Sequence, residues 1–177
     1  MRDFVTDAIV LSIEPSKEYD RSVFLFTKDL GLLKARVTSG ARILSKFSPH
    51  LDPLNLARVR LAHKNGFTLT DALTEERFPA TRNNVASFGN ALRTIALIKA
   101  LAAEHEPDEK LWQAFIEGLT EGTVRPNTFL KLFGYDARHT ECDSCGRVPA
   151  HYFAVKTHTF WCASCSTRMP ENALLLI

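Results

Sequence analysis

Four cysteines in two pairs, Cys142-x2-Cys145 and Cys162-x2-Cys165, constrain this chain more than any other feature. Sixteen residues separate the pairs, and all four thiols fall in the last 36 of 177 residues. A C-x2-C turn lets two thiolates converge from one tight loop, and Gly146 directly after the first pair eases the sharp turn. The residues between can run out and back as a hairpin, which sets the second pair opposite the first. The spacing falls within the range of zinc ribbons. Four thiolates complete a tetrahedral zinc shell and leave no position for water, so one structural zinc is expected, not a catalytic one. Disulfides and four unpaired thiols remain open alternatives. A redox C-x2-C would sit in a βαβ unit, and that pattern is absent. The clustering is unlike a secreted disulfide framework and points to a cytoplasmic protein. His139, His151 and His158 lie nearby and read as surface residues.

The front of the chain has a different character. FVTDAIVLSI (4–13) and SVFLFT (22–27) read as strands, with Asp29-Leu30-Gly31 as a turn. Leu33, Ala35 and Val37 alternate with Lys34, Arg36 and Thr38, the period of a half-buried strand. Ala57, Val59 and Leu61 alternate with Arg58 and Arg60 in the same way. Asn65-Gly66 predicts a two-residue hairpin, beyond which Phe67, Leu69, Asp71 and Leu73 alternate with threonines. Five strands in about 75 residues, with no room for crossover helices, predict a small antiparallel barrel or sandwich.

Helical periodicity takes over after Pro79. One helix is expected over 83–104, with Val85, Phe88, Leu92, Ile95 and Leu101 on its apolar face. Asp108 can cap a second that carries Leu111, Trp112, Phe115, Ile116 and Leu119 and ends near Gly122. A third can start after Pro126 and stop at Gly134. The face of Trp112, Phe115 and Leu119, with the terminal Leu174 to Ile177, is a candidate docking surface, and packing within the chain is the alternative. The division expected is 1–80 for the barrel and 81–177 for a helical region with an inserted zinc module at 139–168.

The chain carries only two net positive charges, which excludes a strongly basic polyanion binder, but the sum hides a local excess. From Lys34 to Lys64 seven cations (Lys34, Arg36, Arg42, Lys46, Arg58, Arg60, Lys64) face one acid, Asp52. A solvated basic face and a polyanion-binding surface both fit that count. Phe47 is the best candidate for an aromatic that stacks on a base, and equally a candidate for loop anchoring. Phosphate-loop, serine-elbow, zinc-protease and dinucleotide motifs are missing, so no enzyme is expected. No apolar run approaches the ~20 residues of a membrane span.

Local motifs sharpen the reading. Thr6-Asp7-Ala8-Ile9-Val10-Leu11, Glu18-Tyr19-Asp20-Arg21 leading to Leu25-Phe26-Thr27, and Leu30-Gly31-Leu32 resemble the first strands of the bacterial RecO family. Gly40-Ala41-Arg42, Ser45-Lys46, Leu51 and Pro53 resemble that family's glycine-basic loop after the third strand, and Phe129 to Tyr135 its helix end leading into the zinc module. The resemblance implies an α+β protein: a five-stranded oligonucleotide-binding (OB) barrel, helices and a four-cysteine zinc module. It implies a DNA repair and recombination mediator that binds and anneals single-stranded DNA and loads recombinase with RecR. Single-strand-binding protein and RecF are further implied partners, in a bacterial cytoplasm and at the nucleoid during repair. The seven cations become the DNA-binding set, and Cys142, Cys145, Cys162 and Cys165 the zinc ligands. Ser39 and Ile43 stand where relatives carry basic residues, which implies weaker and more salt-sensitive binding. Thr157-His158 stand where relatives often have glycines. Two other classes stay open: a scaffold of the same complex without DNA affinity, and an RNA-binding protein with an OB barrel and zinc ribbon.

Overall fold

Strands β1 (Arg2–Pro15), β2 (Arg21–Thr27), β3 (Gly31–Val37), β4 (Leu56–His63) and β5 (Phe67–Glu76) close into a barrel in the order β1-β2-β3-β5-β4. The structure is a computed structural model, and it describes residues 2–16, 21–37, 47–136, 140–170 and 173–177. Neighbours run antiparallel except β3 and β5, which meet in parallel at Ala35↔Phe67 and Arg36↔Thr68. β1 is long enough to serve both sides: Arg2 to Ile9 pairs with β4, and Ala8 to Pro15 pairs with β2 across an irregularity at Val10–Ser12. This strand order and connectivity make the barrel OB-type, as expected.

Two cores explain the apolar pattern. Val10, Val23, Leu25, Leu33, Ala35, Ala57, Val59 and Leu61 fill the barrel interior. Ile9, Leu11, Phe26 and Leu32 point the other way, into a second core shared with the helices. Ala8 to Leu11 is therefore buried on both faces, which is why that stretch is continuously apolar and does not alternate. Phe47 and Leu51, beside a short 3-10 turn at Ser48–His50, pack inside the barrel. Phe47 is buried among aliphatic side chains, so the structure overturns its candidacy as a base-stacking residue.

Four helices follow: α1 (Pro79–Arg82), α2 (Val85–Leu101), α3 (Glu109–Glu121) and α4 (Pro126–Leu132). The Asn84 side chain caps α2 by accepting from the Ser87 N–H, and Asp108 caps α3 by accepting from the Leu111 N–H. Gly122 ends α3 at φ 70°, a left-handed conformation that glycine adopts without strain. α2 corrects the expected face: Val85 is 90% exposed and Leu92 41%, while Ala91, Thr94, Ile95, Leu97 and Ile98 are buried. Trp112, Phe115 and Leu119 are buried too, with the Trp112 and Phe26 rings 5.6 Å apart across the barrel–helix boundary. The docking surface expected there is internal packing.

The terminal leucines are also partnered. Strand β8 (Leu174–Leu176) pairs with β6 (Tyr152–Ala154), which pairs with β7 (Thr159–Trp161), giving the order β7-β6-β8. A short helix, α5 (Ala163–Ser166), follows β7. Phe153 and Phe160 join the helical core, and Tyr135 packs against both rings at 5.1 and 6.3 Å. No helix among the described residues is long and apolar enough to cross a membrane.

Candidate nucleic-acid groove and metal centre

The alternation of β3 keeps Leu33, Ala35 and Val37 in the barrel and leaves Lys34 and Arg36 exposed outside. The parallel pairing of Arg36 with Thr68 draws this cationic row toward the β4–β5 hairpin. The result is an open groove of about 620 Å³ lined by Lys34, Arg36 and Lys64 together with Ser22, Ala62, Asn65, Gly66, Phe67, Thr68 and Thr70. In OB barrels the β2–β3 face and the β1–β2 and β4–β5 loops carry oligonucleotide ligands. The groove occupies that place.

The structure does not bring the whole expected cation set together. Arg60 lies on the outer side of β4, in line with Ala62 and about 7 Å along the strand from it. It faces Asp71 of β5 and Val5 of β1 in register. Arg58 sits one step further and donates to its cross-strand partner Asp7 at 2.8 Å, so part of its charge is already answered. Arg42 and Lys46, like Ser39 and Ile43, lie outside the described residues.

Phe67 was not singled out from the sequence as a ligand-facing residue. It lines the groove half-buried, its ring 5.9 Å from Phe4, 4.7 Å from His63 and 5.5 Å from His105. Its position directly after Asn65-Gly66, at the mouth of the hairpin loop, was the available signal. His105 reaches it from the α2–α3 connection, where its N–H donates to the Leu32 carbonyl at 2.9 Å. Further along β5 the expected alternation breaks. Thr70 and Asp71 are both exposed opposite Arg60, a bulge that turns Ala72 inward and leaves Leu73 61% exposed.

The four cysteines converge, with their sulfurs all within 4.8 Å of one another and Cys145 Sγ 3.7 Å from Cys162 Sγ. None forms a disulfide. Gly146, at φ 69°, lets its N–H return to the Cys142 carbonyl at 2.8 Å. The Asp143 N–H donates to the Phe160 carbonyl at 2.8 Å and so ties the first knuckle to β7. Cys142, Cys162 and Cys165 are buried and Cys145 is exposed. Backbone hydrogen bonding from Cys162, helped by Ser144 and Cys145, holds the Cys142 thiol down to about 6. Backbone hydrogen bonding from Cys165 lowers Cys162. The Arg147 backbone favours the Cys145 thiolate, but hydrogen bonding among the Cys165, Cys142 and Cys162 sulfurs, with local desolvation by its neighbours although the residue is exposed, outweighs it and pushes that thiol up to about 11. Four thiolates this close repel one another unless a cation sits among them, so the cluster fits a tetrahedral, thiolate-bound metal ion.

His151 and His158 are exposed, as expected, and His139 lies outside the described residues. His158 occupies the left-handed region at φ 55°, and its Nδ1 lies 2.7 Å from the Tyr135 hydroxyl.

Comparison with known proteins places the sequence among related ones. Residues 1–75 match the family model described as recombination protein O, N terminal. The DNA repair protein RecO of Geobacter metallireducens is 28% identical over 157 residues, covering 82% of this chain and 64% of that protein. That of Dehalococcoides mccartyi is 28% identical over 177 residues, with 92% and 70% covered. That of Myxococcus xanthus is 27% identical over 194 residues, with 97% and 76% covered. The chain thus spans about two thirds to three quarters of the length of these relatives.

Proposed function

We propose that this chain is a non-catalytic DNA repair mediator of the RecO family, a reading supported by the match of its N-terminal 75 residues and by alignments that cover most of the chain. It binds single-stranded DNA in the barrel groove, promotes annealing of complementary strands and loads recombinase with RecR. Single-strand-binding protein and RecF are its further partners, in the cytoplasm. The observation that carries this reading is the grouping of Lys34, Arg36 and Lys64 with the half-buried Phe67 on the ligand face of an OB barrel. Cations follow a phosphate backbone, and an aromatic beside them offers a stacking surface to any base. Arg60 extends the track, and Arg42 and Lys46 belong to the same proposed set. Arg58 contributes less because Asp7 holds it. The proposed division is an OB unit over 1–80 and a helical unit over 81–177 that carries the metal module at 139–168.

The metal is zinc, one ion per chain, structural, and held by Cys142, Cys145, Cys162 and Cys165. A zinc–thiolate tetrahedron with bonds of about 2.3 Å has edges of about 3.8 Å, and the Cys145–Cys162 sulfur separation of 3.7 Å supports that size. With all four positions taken by sulfur, the ion's role is to cross-link the knuckles.

Fluorescence anisotropy of a labelled oligothymidylate tests the reading. The double variant Lys34→Ala/Lys64→Ala should bind at least about tenfold more weakly than the wild type at low salt, and Lys28→Ala should match the wild type. Undetectable binding by the wild type, or equal losses in both variants, would move the function to a scaffold without DNA affinity.

A further inference from the structure

One cation near the groove comes from a helix and was invisible to the strand alternation. Lys99, in the last turn of α2, donates to Ser12 Oγ and to Glu14 Oε1, both at 2.7 Å. Its ammonium also lies 4.3 Å from the centre of the Phe24 ring, and the Lys34 ammonium lies 5.3 Å from the same ring. The strand register explains this meeting. Ser12, Phe24 and Lys34 form one row across β1, β2 and β3, and Glu14, Ser22 and Arg36 form the next. Ser22, Lys34 and Arg36 line the groove, so Lys99 stands at its edge on the side toward the helices.

The local chemistry is a poised competition. An ammonium has three N–H donors; Ser12 and Glu14 take two, and the third has no acceptor among the described residues. Lys99 beside Glu14 holds that carboxyl below the usual carboxylate range, and the charge of Lys34 adds to this. The Lys99–Glu14 pair is partly exposed, so solvent screens it and a phosphate can take over its donors. The face of the Phe24 ring attracts both ammonium groups and favours their positions beside it.

We propose that the single-strand path continues from the groove past Phe24 to Lys99 of α2, where a backbone phosphate replaces the Glu14 carboxylate. This rests on the groove being a single-strand site, and it gives the helical region a direct part in binding. Glu14 is then a built-in competitor that weakens this end of the path until a strand long enough to reach it arrives.

The test uses the full metal-loaded chain and oligothymidylates of about 6 and about 20 nucleotides, one within and one beyond the roughly 4–16 nucleotides usually held by one OB barrel. Lys99→Gln should weaken binding of the long strand about three- to fivefold, flatten its salt slope by about 0.7, and leave the short strand unchanged. Glu14→Gln keeps Lys99 in place and should tighten the long strand about two- to threefold, a gain that misfolding cannot mimic. Arg36→Ala should weaken both lengths. If Lys99→Gln and Glu14→Gln both match the wild type on the long strand while Arg36→Ala weakens it, the path ends at the groove and the proposal is wrong. If Arg36→Ala has no effect on either length, the underlying reading of the groove fails instead.

Discussion

Arg36 and Arg58 carry the same charge on the same outer surface of the barrel, yet their surroundings differ. Arg36 lines the groove, whereas Arg58 donates to Asp7 at 2.8 Å. Arg36→Ala should therefore weaken DNA binding by about fivefold or more, and Arg58→Ala by less than about twofold, by anisotropy at low salt. The Arg58–Asp7 pair is exposed, so its loss should change stability by no more than about 1 kcal/mol. The parity of β4 was legible in the sequence, but Asp7, fifty-one residues away, was not visible as its partner. Gly31 makes the opposite kind of point. It sits at φ 67°, and a Cβ there would run into the Glu106 carbonyl of the α2–α3 connection. Gly31→Ala combines a left-handed backbone with that collision, so a loss of more than about 2 kcal/mol is expected in chemical denaturation. The turn at Asp29-Leu30-Gly31 was readable, and the chain lying over it was not.

At the scale of elements, the five strands, the hairpin at Asn65-Gly66 and the caps at Asp108 and Gly122 follow local rules that a sequence states directly. What escaped depends on distant partners. β8 is a leucine run whose strand character comes from pairing with β6. The bulge at Thr70–Asp71 is imposed by the register against β4, and it carries Leu73 to the surface. The face of α2 is set by the outer side of β1 and β2, which alternation could not show to be buried. The cysteine knuckles were legible because ligand spacing is itself local. Elemental analysis should find one zinc per chain, and Cys162→Ser should abolish it and expose the aromatic pair Phe153 and Phe160, read as a rise in dye binding. Metal binding requires deprotonated sulfurs, so protons compete with the ion. With the Cys145 thiol pushed up to about 11, uptake at neutral pH should release protons. Acidification through about 6, where even Cys142 becomes protonated in the metal-free form, should favour metal loss, followed with a chromogenic chelator. A Cys162→Ser chain that still carries one zinc would contradict the assignment of these thiols as ligands.

For the whole molecule, barrel, helices and metal module share one apolar core, with Phe26 against Trp112 on one side and Tyr135 against Phe153 on the other. That continuity lets Lys99 and His105, from the helical region, stand beside a barrel groove at fixed distances. The central claim is that this groove holds the backbone of single-stranded DNA, and the salt dependence of binding tests it most directly. Four or five neutralised phosphates, at about 0.7 each, predict that log affinity falls against log salt with a slope of about −3. Arg36→Ala should flatten that slope by a little under one unit for every sequence alike, because a phosphate contact carries no base information. Lys110→Ala, on α3 beside a different cavity, should leave it unchanged. A slope near zero, or the same change in both variants, would contradict the account.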